Sequence, residues 1–159
     1  MKWVLLVDDN DSDRQLLRYN FDWHGYRVVE ASNGLEGLEQ ARNCKELDLI
    51  VSDAVMPLID GFHFLQSIKH DPTLKHIPFI FYSAVYTSLH NEQFALRMGA
   101  QAFISKPKGR MEFWTELCKT LIDPIPPFPF PKSQTLDLEE FHFEHSRMVD
   151  LQKADKDKK

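Results

Sequence analysis

The sequence is short of several things, and each shortage closes off a class of protein. Only two of its 159 residues are cysteine, Cys44 and Cys118, and they form neither a CxxC pair nor a metal-binding spacing. That argues against a disulfide scaffold or a zinc module. It suits free thiols, buried or half-buried, in a reducing cytoplasm. No apolar run approaches the roughly 20 residues of a membrane span. The opening "MKWVLLVDD" offers one lysine and a brief apolar run before acids intervene, too short for a secretory signal. Basic charge is not in excess: a net charge of −5 argues against a broad nucleic-acid-binding surface. What is present is an ordinary globular composition, 43% hydrophobic and 27% charged, long enough for one domain with an appendage.

Proline is scarce until residue 123 and then crowds together. Five of the nine prolines fall between Pro124 and Pro131, in "DPIPPFPFPKSQ". Such a segment cannot be helix or central strand and favours stiff, extended geometry. The sequence therefore divides into a domain over 1–122, a Pro-rich linker over 123–135 and a helical tail over 136–159, frayed at its charged end. In the tail, Leu138, Phe141, His145, Met148 and Gln152 make one poor helical stripe. It is too short for a convincing coiled-coil seam and reads either as an amphipathic helix packed on its own domain or as a connector. His142 and His145 share a face there, but no further ligand completes a metal set.

Within 1–122, short apolar runs alternate five times with amphipathic stretches. The strands expected are "WVLLV", "RVVEA", "LDLIVS", "PFIFYSA" and "AQAFIS". The first helix is expected over 12–23, capped by Asp11 or Ser12, with Leu16, Leu17, Asn20, Phe21 and His24 on its inner face. In the second, Leu35 and Leu38 are expected inward. Trp3, Trp23 and Trp114 read as packing residues. Asp60-Gly61 reads as the turn and cap of the third helix. Near-continuous apolar strands are those buried on both faces of a parallel sheet. The expected fold is thus α/β, a doubly wound parallel sheet flanked by five helices. In such sheets, ligands bind beyond the carboxyl ends of the strands.

Those strand ends carry chemistry. Asp8 and Asp9 follow the first strand, Asp53 the third, Ser83 ends the fourth and Lys106 follows the fifth. Three converging carboxylates repel unless a cation joins them. Hard oxygen donors without histidine or cysteine suit Mg²⁺, which retains open positions for water and phosphate oxygen. A lysine and a serine opposite would neutralise and hydrogen-bond a phosphoryl group. Asp53, alone at its strand tip, is the natural nucleophile for an acyl phosphate.

The motifs "LLVDDND", "LIVSDAVMPLIDG", "FIFYSA" and "AFISKP" come in order, with Asp53 to Ser83 spaced by 30 residues and Ser83 to Lys106 by 23. Over residues 1 to about 122 the sequence resembles the receiver domain of two-component response regulators, with CheY-like fold. The resemblance implies the strand order 2-1-3-4-5. It implies that Asp53 accepts a phosphoryl group from a sensor histidine kinase or a histidine phosphotransfer protein, in a phosphorelay. Mg²⁺ would be held by Asp8, Asp9, Asp53 and the backbone carbonyl of Val55. Lys106 would contact the phosphoryl oxygens, ahead of a cis bond to Pro107. Ser83 would hydrogen-bond the phosphoryl group and, by moving, let Phe103 turn inward, switching the face made by helix four, strand five and helix five.

Such a chain is a cytoplasmic signalling phosphoprotein rather than an enzyme, catalysing only its own phosphorylation and slow self-dephosphorylation. The tail would feed an output domain or a homodimer; this chain would engage neither nucleic acid nor membrane. Four positions depart from the commoner family pattern. Ser83 replaces threonine, Phe103 replaces tyrosine, and Val55 and Val85 are apolar where side chains can orient a hydrolytic water. The acyl phosphate is therefore expected to be long-lived. Two other functions share part of the pattern. A Mg²⁺-dependent phosphohydrolase with an aspartate nucleophile usually has a second acid where Val55 stands. A pseudo-receiver interaction module would have lost an acid or the lysine, and all are present.

Overall fold

A computed structural model describes residues 2–84 and 89–122, without the side chains of 89–91 and 122. Val85, the Pro-rich linker and the tail lie outside the described residues. Strands and helices alternate as β1 (Trp3–Val7), α1 (Asp11–Trp23), β2 (Arg27–Ala31), α2 (Gly34–Asn43) and β3 (Leu47–Ser52). They continue as α3 (Gly61–His70), β4 (Phe79–Ser83), α4 (Leu89–Arg97), β5 (Ala102–Ser105) and α5 (Arg110–Ile122). All strand pairs are parallel, in the order β2-β1-β3-β4-β5. This is the doubly wound sheet the sequence predicts.

Alternate residues of each central strand feed two separate apolar layers. Leu5, Ile50, Phe79 and Phe81 face α2, α3 and α4, which contribute Leu38, Phe64, Leu65, Ile68 and Phe94. Val4, Leu6, Val51, Ile80 and Tyr82 face the other way, onto Leu17 and Phe21 of α1 and Phe113 and Leu117 of α5. This two-sided burial is why β1, β3 and β4 read as unbroken apolar runs. Each fully buried phenylalanine contributes about 1.5–3 kcal/mol relative to exposure. Phe81 is a hub of the first layer, with ring centroids 4.8 Å from Phe62, 5.1 Å from Phe79 and 5.7 Å from Phe103.

Several details differ from the expectations. The cap of α1 is Asn10, not Asp11 or Ser12: its side chain accepts from the Asp13 amide at 3.0 Å. Asp11 and Asp13 thereby fall in the first turn, where negative charge complements the helix dipole. Only Leu17, Asn20 and Phe21 of α1 are buried. Leu16, about 100° round the helix from Leu17, is 65% exposed. Asn20 tolerates burial because its amide donates to the Arg110 carbonyl at 3.3 Å. His24 is not in the core but stacks flat on Trp114, 3.5 Å between centroids. Trp23, expected to pack, is 76% exposed. On α2 the inner face is made of Gly34, Gly37, Leu38 and Ala41, so Leu35 points outward. Cys44 and Cys118 are free and half-buried, as expected.

The loop from β3 to α3 is clamped at both ends. Asp60 caps α3, accepting from the His63 amide at 3.0 Å. The Gly61 amide donates to the Ala54 carbonyl at 2.9 Å, and the Gly34 amide to the Ile59 carbonyl at 3.1 Å. A Cβ on Gly61 would overlap the Asp53 carbonyl oxygen, and one on Gly34 the Ile59 carbonyl oxygen. Both glycines are there for close approach of backbone to backbone.

Candidate functional site

Backbone hydrogen bonds set the strand ends at one level. The Asp8 amide donates to Ala31 O at 3.1 Å, the Asp53 amide to Val7 O at 2.9 Å, and the Lys106 amide to Ser83 O at 2.8 Å. Each strand thus carries its last residue out beside its neighbour's. The carboxylates of Asp8, Asp9 and Asp53 gather so that one oxygen from each lies within 4.8 Å of the others. Asp8 is 1% exposed, Asp53 half-buried and Asp9 exposed.

Lys106 reaches into this cluster from β5. Its ammonium lies 2.6 Å from Asp8 Oδ2, 3.1 Å from Asp13 Oδ2 and 3.4 Å from Asp53 Oδ2. It also sits 5.4 Å from the centroid of the Tyr82 ring. The Lys106-Pro107 bond is cis, as expected. The other carboxylate oxygen of Asp53, Oδ1, accepts from the Ala54 amide at 2.7 Å.

The electrostatics show a site short of positive charge. Burial, and then the neighbouring charge of Asp53, push the Asp8 carboxyl up from 3.8 to about 6, although Lys106 pulls the other way. Burial works against the Lys106 ammonium, but the charges of Asp53 and Asp8 outweigh it and hold the group above the ordinary lysine value. One ammonium does not satisfy three carboxylates. An all-oxygen donor set with a strained buried acid fits a hard divalent cation.

The structure thus brings Asp8, Asp9, Asp53 and Lys106 together. Ser83 is buried at the end of β4 and joined to Lys106 through its backbone carbonyl. Val55 follows in the loop, partly packed on the core. Phe103 is buried on β5, in register with Phe81, beneath the edge.

Two residues were missed. Asp13 contacts Lys106 directly. Arg14 donates to the Asp8 carbonyl at 2.6 Å and pairs with Asp11 at 2.6 Å and Glu30 at 3.2 Å, while Arg18 also pairs with Glu30. The signal was available: with α1 started at Asn10, its first turn lies over the strand ends. Beside the cluster opens a groove of about 290 Å³, lined among others by Asp13, Leu16, Asn20, Tyr82, Lys106 and Arg110.

A doubly wound sheet that presents three carboxylates and a lysine at its carboxyl edge defines a signalling domain of the aspartate-phosphorylated class. The family model of the response regulator receiver domain matches residues 4–117. The polar-differentiation response regulator DivK of Brucella anthropi is 35% identical over 106 residues, covering 67% of this chain and 85% of DivK. The chemotaxis protein CheV3 of Helicobacter pylori is 33% identical over 127 residues, 74% of this chain. This chain spans only 40% of the length of CheV3. Among solved structures, the chemotaxis response regulator CheY4 of Vibrio cholerae superposes with a TM-score of 0.70 at 30% identity, covering 76% of this chain and 98% of CheY4. The chain belongs to the response regulator receiver family, whose general function is phosphorylation on an aspartate with Mg²⁺. No described helix is long and apolar enough to cross a membrane.

Proposed function

We propose that the chain is a phosphorylation-controlled switch in a two-component phosphorelay, with Asp53 as the phosphoacceptor. The observation that carries this reading is the Lys106 ammonium held between Asp8 and Asp53 at the sheet edge. Mg²⁺ would be held by Asp8, Asp9, Asp53 and the Val55 backbone carbonyl, and its chemistry there is to neutralise phosphoryl oxygens. Asp53 supplies a carboxylate oxygen as nucleophile, oriented by the Ala54 amide. Lys106 supplies a fixed positive charge, and Ser83 a hydroxyl for the phosphoryl group once it is formed. Ser83 hands the change to Phe103 and so to the α4–β5–α5 face.

The donor in this reading is a sensor histidine kinase or a histidine phosphotransfer protein. Leu16, Tyr19, Trp23 and Met111 expose apolar surface beside the groove that leads to Lys106. That patch is the one on which such a donor would seat. The domain acts on no external substrate beyond taking its own phosphoryl group, works in the cytoplasm, and passes the signal through residues 123–159 to an output domain or a second copy.

The test is incubation with Mg²⁺ and acetyl phosphate, followed by intact mass. One added phosphoryl group, absent in Asp53→Asn and abolished by chelation, is expected. Rapid turnover to free phosphate would point instead to a phosphohydrolase, and absence of any adduct to an interaction module.

A further inference from the structure

The geometry points to Asp13 as a positioning residue that holds Lys106 back from an incoming phosphoryl group, an electrostatic brake on phosphorylation. This rests on Asp53 being the acceptor. A lysine ammonium has three N–H donors, and three carboxylates take them here. Asp8 is at 2.6 Å, Asp13 at 3.1 Å and Asp53, the acceptor, farthest at 3.4 Å. A phosphoryl group on Asp53 brings oxygens that need a donor from Lys106, so one carboxylate must give way.

The burial decides which. Asp8 is sealed in, 2.6 Å from the ammonium, and cannot turn to water. The Asp13 side chain is 40% exposed and can turn to water. It stands on the first turn of α1, and the cap of that helix uses its backbone amide, not its carboxylate. Asp13 is therefore the group that exchanges with the phosphoryl oxygen. It also lines the groove together with Lys106, so its negative charge stands beside the ammonium on the side open to that groove. In the step concerned, an Asp53 oxygen bonds to phosphorus. The bond from phosphorus to the acetate oxygen of acetyl phosphate breaks, and acetate leaves with the electron pair; no proton moves.

The experiment uses the full chain with Mg²⁺. Initial rates of phosphorylation are read by intact mass across a range of acetyl phosphate concentrations. Asp13→Asn keeps the shape and removes the charge. It should lower the donor concentration for half-maximal rate by roughly twofold to fivefold, the scale of a partly exposed charge pair. The gain should shrink at about 0.5 M salt. Asp13→Glu should return the wild-type value. Asp11→Asn, which removes a charge from the same turn without touching Lys106, should do markedly less. Equal or slower phosphorylation of Asp13→Asn, a gain indifferent to salt, or an equal gain from Asp11→Asn would overturn the inference while wild-type labelling stands. A wild-type chain that takes no label at Asp53 removes the acceptor reading and the inference with it.

Discussion

Like charges held close together dominate the residue scale. Asp8 is raised from 3.8 to about 6 by burial and by Asp53. A carboxyl whose folded value lies above its unfolded one stabilises the fold while protonated. That contribution is complete below about 3.8 and is lost as pH rises through about 6. The metal-free domain should therefore lose stability between those values, and Mg²⁺ should restore it above them. Proton and cation compete for Asp8, so Mg²⁺ affinity should climb up to tenfold per pH unit below about 6 and flatten above. Titration calorimetry at acid and neutral pH, in buffers of different ionisation enthalpy, reads both the affinity and the released proton. A flat profile would contradict this picture. Val55 sets a second expectation at this scale. Its apolar side chain gives a hydrolytic water nothing to bond, so the acyl phosphate should outlast seconds. Val55→Asn should shorten its life by about threefold to tenfold, because a held water reacts faster than a free one; phosphoprotein decay followed by mass measures it.

At the scale of elements, helix starts and close approaches place the site. Gly61 opens α3 with its amide on Ala54 O, where a methyl group would overlap the Asp53 carbonyl. Gly61→Ala should cost about 1–3 kcal/mol by overpacking and displace Asp53, reducing phosphorylation as well. Urea denaturation and labelling check the two effects separately, and a neutral result in both would refute the close approach. Elements are also where the sequence was read with uneven success. The strand ends were legible, because runs such as "LIVS" and "FIFYS" are apolar on both sides and stop on polar residues. Helix faces were less so. The buried stripe of α1 is narrow, so Leu16 and Trp23 fall outside it and Asn20 falls inside through its bond to Arg110. Placing the cap at Asp11 or Ser12 rather than Asn10 shifted the first turn, and with it the contact of Asp13 with Lys106 was lost to view. Pattern alone cannot report a side chain that earns its burial through one tertiary hydrogen bond.

At the scale of the whole molecule, one sheet does two jobs. Its faces bury two apolar layers, and its carboxyl edge collects the charged groups. Among the described residues both layers are built from positions 3–121. A chain ending at residue 122 keeps both of these layers and should fold and take up a phosphoryl group. Thermal melts and labelling of the truncated chain test that, and a large loss of stability would show that residues 123–159 complete the core. The central claim is that the carboxylate of Asp53 receives the phosphoryl group. It is tested most directly by trapping the acyl phosphate with borohydride after incubation with Mg²⁺ and acetyl phosphate, then mapping the reduced residue by peptide mass spectrometry. Reduction to homoserine at position 53, and nowhere among the neighbouring acids, is the predicted result. Reduction at Asp8, Asp9 or Asp13 in its place, or at no residue, would contradict it.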